Sequence, residues 1–257
     1  VIEDQVVVIT GGAGGIGRAL VLRFLEAGAR VVFGDIDETG AKALLDAADG
    51  ENLRFLPTDV TREADIERLI GHALDEFGGL DCVIGNAGTA IAFETLTDMT
   101  VASWDAQMAL SLRSVMLGLK HGARALIAQG RGGALLAIGS IAAQAGGCGP
   151  LAYASAKAAA VNLVKHVAVE LAPHRIRVNS ISPGVIFTPR FAAGGFAPAE
   201  VAAHQPWPQV GTPEDVAEVA LFLAGSGAGF VTGSDYVVDG GLTALGPHWL
   251  RRMFGPG

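Results

Sequence analysis

Apolar residues return along this chain in two rhythms. Short runs rich in β-branched residues, at 5–10, 30–35, 53–57, 80–85, 134–139, 175–182 and 234–238, have the near-continuous apolar character of strands buried on both faces. Between them, apolar positions recur every three or four residues, as on amphipathic helices. The first helical pattern carries Ala19, Leu20, Leu22, Phe24 and Leu25 and ends at Gly28, and others span 38–48, 62–77, 104–129, 150–171 and 212–224. The 104–129 pattern reads as one long helix with Met108, Leu112, Val115, Met116 and Leu119 on its apolar face. Strands alternating with helices predict an α/β fold with a doubly wound parallel sheet, in which ligand sits at the carboxyl ends of the strands. No linker or repeat divides the chain, so 1–257 is expected to be a single domain. The stretch at about 188–211 breaks the rhythm, with Phe191, Phe196 and Trp207 set among Gly, Pro and Ala. A connection this long is usually functional, and it is the expected substrate loop.

Composition narrows the classes. Half of the 257 residues are apolar and 17% are charged, which argues against disorder. A net charge of −8 offers no basic footprint, so no nucleic-acid partner is expected. The charge-free run at 132–156 is broken by glycines and Pro150, so no membrane span is expected. Cys82 and Cys148 imply no disulfide framework, and the six histidines lack ligand spacing, so no metal is expected. The first strand pattern begins within a few residues of Val1 and no secretory signal pattern is read there; a soluble, cytoplasmic protein is the expectation.

Gly11-Gly-Ala-Gly-Gly-Ile-Gly17 lies between the first strand and the first helix. In that context glycines permit a tight turn and let the backbone approach a pyrophosphate at the helix N-terminus. The second strand ends in Asp35, eighteen residues after Gly17. A carboxylate there accepts from ribose hydroxyls and repels a 2′-phosphate. With no Lys or Arg in the loop or directly after Asp35, NAD is favoured over NADP. The competing role for Asp35 is to cap the following helix, for which Asp37 is better placed. Asp59 either caps the helix at 62–77 or touches the adenine edge. Asn86-Ala87-Gly88 is either a turn or backbone lining the dinucleotide.

Chemistry concentrates between Ser140 and Lys157. Pro150 suits the first turn of a helix. Tyr153 and Lys157 then share one helical face, about 6 Å apart along the axis. A tyrosine titrates near pH ~10, and an ammonium nearby favours its phenolate. Ser140, at the end of the preceding strand, can donate to an oxygen on which charge develops. The trio suits moving a proton on or off an alcohol oxygen while a hydride leaves.

Together these motifs resemble the short-chain dehydrogenase/reductase family, of the shorter single-domain type, over essentially the whole chain. The run 10–17 resembles its cofactor loop, while Asp35, Asp59-Val60 and Asn86-Ala87-Gly88 resemble its adenosine and backbone motifs. Ser140 and the Tyr153-x-x-x-Lys157 pair match its serine and Tyr/Lys motif, thirteen positions apart. Pro183-Gly184 with Thr188 matches its nicotinamide-side motif. The resemblance implies a Rossmann-type fold and NAD-dependent oxidoreduction, with Tyr153 as base for alcohol oxidation and acid for ketone reduction. It implies that Lys157 lowers the Tyr153 pKa and holds the nicotinamide ribose, and that Ser140 holds the substrate oxygen. Cofactor contacts are expected from Gly11, Gly14, Gly15, Ile16, Gly17, Asp35, Ile36, Asp59, Val60, Asn86, Ala87, Gly88, Tyr153, Lys157, Pro183, Gly184, Ile186 and Thr188. A homotetramer, formed through the long helices and the final strand, is also implied. One position departs: seven residues after Trp104, where the family usually carries an asparagine supporting a proton-relay water, this chain has Ser111. Ser111 is either the fourth member of the relay or a helix position without catalytic duty.

The expected pocket residues, Ile91, Phe93, Ile141, Cys148, Phe187, Phe191, Phe196 and Trp207, are predominantly apolar, and such a pocket rewards an apolar substrate. The segment 145–153 also resembles the branch that oxidises cyclic terpenoid-type alcohols. A hydrophobic, cyclic (terpenoid- or steroid-like) secondary alcohol and its ketone are therefore the expected small-molecule partners. Arg190 points the other way, towards a carboxylated hydroxy acid or acyl-type keto substrate. The remaining alternatives are an NADPH-dependent reductase and a non-catalytic nucleotide sensor. The tail at 247–257, with Arg251 and Arg252, is expected at a subunit boundary or the pocket rim.

Overall fold

The computed structural model describes residues 2–48, 50–203 and 205–245. The tail expectation therefore lies outside the described residues. Among them, seven parallel strands form one sheet: β1 (Val6–Thr10), β2 (Arg30–Asp35), β3 (Leu53–Pro57), β4 (Cys82–Gly85), β5 (Gly133–Ile138), β6 (Ile176–Pro183) and β7 (Asp235–Val238). Their order is β3-β2-β1-β4-β5-β6-β7. β1 pairs Val7 with Val31 of β2 on one side and with Cys82 of β4 on the other. The chain leaves β1 towards one edge of the sheet and later leaves β4 towards the other. The loops after these two strands diverge, which opens a crevice above the strand ends.

Alternation along the central strand divides the core. Val7 and Ile9 face α1 (Gly15–Glu26) and its layer, while Val6 and Val8 face the opposite layer. The connections are α2 (Glu38–Ala47), α3 (Glu63–Phe77), α4 (Val101–Met108), α5 (Ser114–Gln129) and α6 (Leu151–Leu171). The short helices α7 (Pro189–Ala193) and α8 (Pro198–Ala202) follow β6, and α9 (Pro213–Ala224) precedes β7. Helix α9 opens on a capping box, with Thr212 as N-cap and Asp215 returning the bond. Helix α5 runs close to the sheet because residue 122 is glycine: a Cβ there would stand 2.8 Å from Leu135 Cδ2 and 2.9 Å from Val83 Cγ2.

One expectation is corrected. The single helix over 104–129 starts earlier, at Val101 with Thr100 as N-cap, and is interrupted by a π-turn at Ala109–Arg113. There the Ser114 N–H reaches back five residues to the Ala109 carbonyl, and Ser114 Oγ donates to Leu110 O. Apolar periodicity does not register one extra residue in a turn, so the sequence pattern runs through it. The 188–211 excursion carries local structure of its own. It contains α7 and α8, and its two ends are fastened together by an Ile186–Gly211 bridge and a Phe187 N–H to Gly211 O bond of 2.8 Å.

Candidate active site

The floor of the crevice is stitched where β1 and β4 end. Thr10 Oγ1 accepts from the Asn86 and Ala87 N–H groups, and Asn86 Nδ2 donates to the carbonyls of Thr10 and Gly11. Asn86 is therefore more than a turn residue; it holds the two loops in register. Gly17 is demanded by packing, since a Cβ there would lie 1.8 Å from Gly11 O and 2.7 Å from Asn86 Nδ2. Gly14 is not, because a Cβ there would meet nothing within 4 Å. Helix α1 begins at this open face with neither a side-chain cap nor an acidic residue in its first turn. Its N–H groups and dipole are thus presented to an anion. Ile16 is half-buried in the first turn of α1, and Thr188 Cγ2 stands 3.6 Å from where a Gly15 Cβ would be, across that turn.

Asp35 closes the next strand. Its carboxylate accepts from Ala13 N (2.9 Å) and Asp37 N (3.0 Å), while Asp37 caps α2 through Gly40 N. The capping role thus belongs to Asp37, and Asp35 keeps lone pairs for further donors. Ile36 beside it is 78% exposed. The Asp59 side chain accepts from Thr61 N and Oγ1, and α3 starts on Arg62 without a side-chain cap, so the capping reading of Asp59 is set aside. Val60 spends its side chain in a small apolar cluster with Ile66 and Leu117. Pro183 ends β6, and Gly184 passes so close to Asp239 that a Cβ would stand 2.7 Å from its Cβ. An open helix N-terminus with a free carboxylate on the neighbouring strand is a donor and acceptor set that fits a dinucleotide.

The three residues expected to handle the proton come from the end of β5 and from α6. Ser140, just beyond β5, accepts from Ala142 N at 3.1 Å and so starts a short turn at Ile141–Ala143. Pro150 is the N-cap of α6, which brings Tyr153 and Lys157 onto one face. Lys157 is 2% exposed; its Nζ donates to Ile138 O at 2.6 Å and stands 5.7 Å from the centre of the Tyr153 ring. Burial pushes the Lys157 ammonium down to about 8. Burial also pushes the Tyr153 phenol above its ordinary value, opposed by the Ser140 hydroxyl. This differs from the sequence expectation of a phenol lowered by its lysine. The ammonium is turned to the Ile138 carbonyl and is itself desolvated, so burial dominates for both groups.

Ser111 lies on the π-turn and is fully buried, with its Oγ accepting from Gln107 Nε2 at 2.8 Å. A Cβ on Gly88 would sit 3.7 Å from that Oγ and 3.4 Å from Lys157 Nζ, so Gly88, Ser111 and Lys157 border one small space. Gln107 escaped the sequence reading. The available signal was a second polar side chain one turn before Ser111, on the same helical face.

The pocket candidates divide. Phe187, Phe191 and Phe196 form a stack, with ring centres 6.1 and 4.9 Å apart. Ile91 and Phe93 are exposed on the segment following β4, Cys148 is exposed in the turn before α6, and Ile141 is buried. Trp207 is placed against the turn after β7: its backbone N–H donates to Gly240 O, and its Cβ lies 2.8 Å from where a Gly240 Cβ would be. Arg190 is exposed on α7. Among the described residues, no group of three His, Cys, Asp or Glu could hold a metal, and no helix is long and apolar enough to cross a membrane.

A sequence profile described as enoyl-(acyl carrier protein) reductase matches residues 11–243, from the glycine loop to beyond β7. The chain is a short-chain dehydrogenase/reductase. As a member of that family it is an oxidoreductase that binds a nicotinamide dinucleotide. It is 40% identical to cis-4-hydroxycyclohexanecarboxylate dehydrogenase of Sinomonas cyclohexanicum over 249 residues, covering 94% of this chain and 98% of that one. It is 35% identical to 3beta-hydroxysteroid dehydrogenase 2 of Eggerthella lenta over 252 residues, covering 95% and 96%. The structure of a short-chain type dehydrogenase/reductase from Mycobacterium ulcerans superposes with a TM-score of 0.89 at 33% identity, covering 98% of this chain and 96% of that one.

Proposed function

We propose that this short-chain dehydrogenase/reductase is an NAD-dependent alcohol dehydrogenase that interconverts a secondary hydroxyl on a hydrophobic, cyclic skeleton and the ketone. The observation that carries the reaction is the half-buried Tyr153 phenol held against Ser140, one helical turn from Lys157. The bound dinucleotide supplies the acceptor for hydride. The open N-terminus of α1 would hold its pyrophosphate, Asp35 its adenosine ribose, Lys157 its nicotinamide ribose, and Thr188 with the backbone near Ile186 its carboxamide. Tyr153, as phenolate, takes the proton from the alcohol O–H while the carbon gives up its hydrogen as hydride and the C=O bond forms. Ser140 donates to the reacting oxygen throughout, and ketone reduction reverses each movement. The Asp35 carboxylate, with no Lys or Arg directly after it, supports NAD over NADP.

The cyclic substrate is supported by the Phe187–Phe191–Phe196 stack and by relatives named for hydroxycyclohexane and hydroxysteroid substrates. A carboxylated ring is the second reading, favoured by Arg190 exposed on α7 and by the carboxylate in the name of the Sinomonas relative. The proposal includes a cytoplasmic setting and self-association into a tetramer.

A panel of cyclic alcohols with and without a carboxylate, each with NAD⁺ and NADP⁺, tests this by absorbance of the reduced cofactor. Turnover is expected with NAD⁺, and Tyr153→Phe is expected to lower it by ~10²–10⁴. Unchanged turnover in that variant would remove Tyr153 from the chemistry. If carboxylated rings are preferred, Arg190→Ala should erase the preference by raising KM; an unaltered preference would discard the second reading.

A further inference from the structure

A carboxamide buried away from water is unfavourable unless its hydrogen bonds are made. Gln107 is fully buried, and all four of its bonds are made. Its Oε1 accepts from Ile91 N (2.8 Å) and Ala92 N (3.3 Å), and its Nε2 donates to Thr89 O (2.9 Å) and Ser111 Oγ (2.8 Å). This fixes which way the amide points, because the atom that meets two backbone N–H groups must be the oxygen. The atom facing Ser111 is consequently a donor, and the serine oxygen is consequently an acceptor. Its second lone pair and its own O–H are left for other neighbours.

Lys157 is the neighbour with unmet demand. An ammonium carries three donors, and among the described residues its one recorded acceptor is Ile138 O. Ser111 Oγ and Lys157 Nζ border the same space that Gly88 keeps open, 3.7 and 3.4 Å from where a Gly88 Cβ would be. A hydroxyl presenting a lone pair there favours the charged form of Lys157, against the burial that favours the neutral form. A charged Lys157 in turn favours the phenolate of Tyr153.

We propose that Gln107 is a positioning residue for the general base: it orients the Ser111 hydroxyl towards Lys157, so that Lys157 stays charged beside Tyr153, and it ties this arrangement to the Thr89–Ala92 segment on the substrate side. The inference rests on the reading of Tyr153 as base but is tested without turnover. Nothing else in the helix supplies the amide, and the three bonds to Thr89, Ile91 and Ala92 hold the segment whether or not Ser111 is present. The bond to Ser111 is therefore separable from the structural ones.

The chain has two tyrosines, so Tyr236→Phe leaves Tyr153 as the sole phenol. Its ionisation can be followed by ultraviolet difference absorbance without substrate or cofactor. In that background, Gln107→Met and Ser111→Ala are each expected to raise the titration midpoint of Tyr153 by about half a pH unit or more. The two together should do no more than Ser111→Ala alone, because they break one coupled arrangement. Gln107→Met with Ser111→Asn should return the midpoint towards the parent, the asparagine supplying its own oxygen. Ser111→Ala keeps the three backbone bonds of Gln107, so it reports even if Gln107→Met does not fold. An unmoved midpoint in either single variant overturns the inference, as does full additivity. A protein that oxidises no alcohol of the panel would sink the functional reading while leaving this titration decisive. Where turnover is measurable, Gln107→Met should lower kcat and leave KM for the dinucleotide in place; a change confined to KM would reduce Gln107 to a loop tie.

Discussion

Lys157 shows how a single side chain sets function against stability. Buried to 2% and pushed down to about 8 from 10.5, it is held charged below pH ~8 in a place that favours the neutral form. Between about pH 8 and pH 10 the unfolded chain binds a proton that the folded chain has released, so stability rises with pH through that window. Above it the trend reverses, because the raised Tyr153 phenol keeps its proton when an unfolded tyrosine has lost it. Lys157→Met should accordingly melt higher than the wild type at pH 7, by an amount on the order of 3 kcal/mol, with the gap closing towards pH 10. Equal melting temperatures at pH 7 would mean that the buried ammonium is already fully compensated. At this scale the sequence was legible wherever spacing fixes where a side chain is placed. Asp35 at a strand end and the Tyr153/Lys157 pair are of that kind. Gln107 was not, because its partners are backbone groups fifteen to eighteen residues away, brought to it only by the path of the chain after β4.

Among the elements, the strands were readable because strands buried on both faces are written as continuous apolar runs, and each of the seven falls within two residues of its expected limits. The π-turn between α4 and α5 was hidden because one inserted residue hardly alters an apolar stripe. The same connection contains a close helix–sheet approach at Gly122. Valine there would be driven into Leu135 and Val83, and should destabilise the protein by about 1–3 kcal/mol. Chemical denaturation should show a lower midpoint at unchanged slope. A midpoint equal to the parent's would mean that α5 can move away freely, in which case the position of Ser111 would not be fixed by the sheet.

For the whole molecule, a doubly wound parallel sheet was implied by the alternation of strands and helices, whereas the assembly was not. Strand β7 leaves one edge of the sheet unpaired, and Val237 on it is exposed, as are Phe222 on α9 and Phe230 just before the strand. These are apolar surfaces that a partner would cover. Light scattering at micromolar concentration should therefore return a multiple of the chain mass, four-fold for the proposed tetramer, and a monomer there would refute self-association. The Ile186–Gly211 fastening acts on another part of the molecule. Because the two ends of that excursion are held to each other, its interior length is uncoupled from the register of β6 and from the start of α9. Closing such a loop becomes harder only with the logarithm of its length. The interior of the excursion, Phe191 and Phe196 included, can thus be lengthened, shortened or rewritten as a cassette while the strand before it and the helix after it stay as they are.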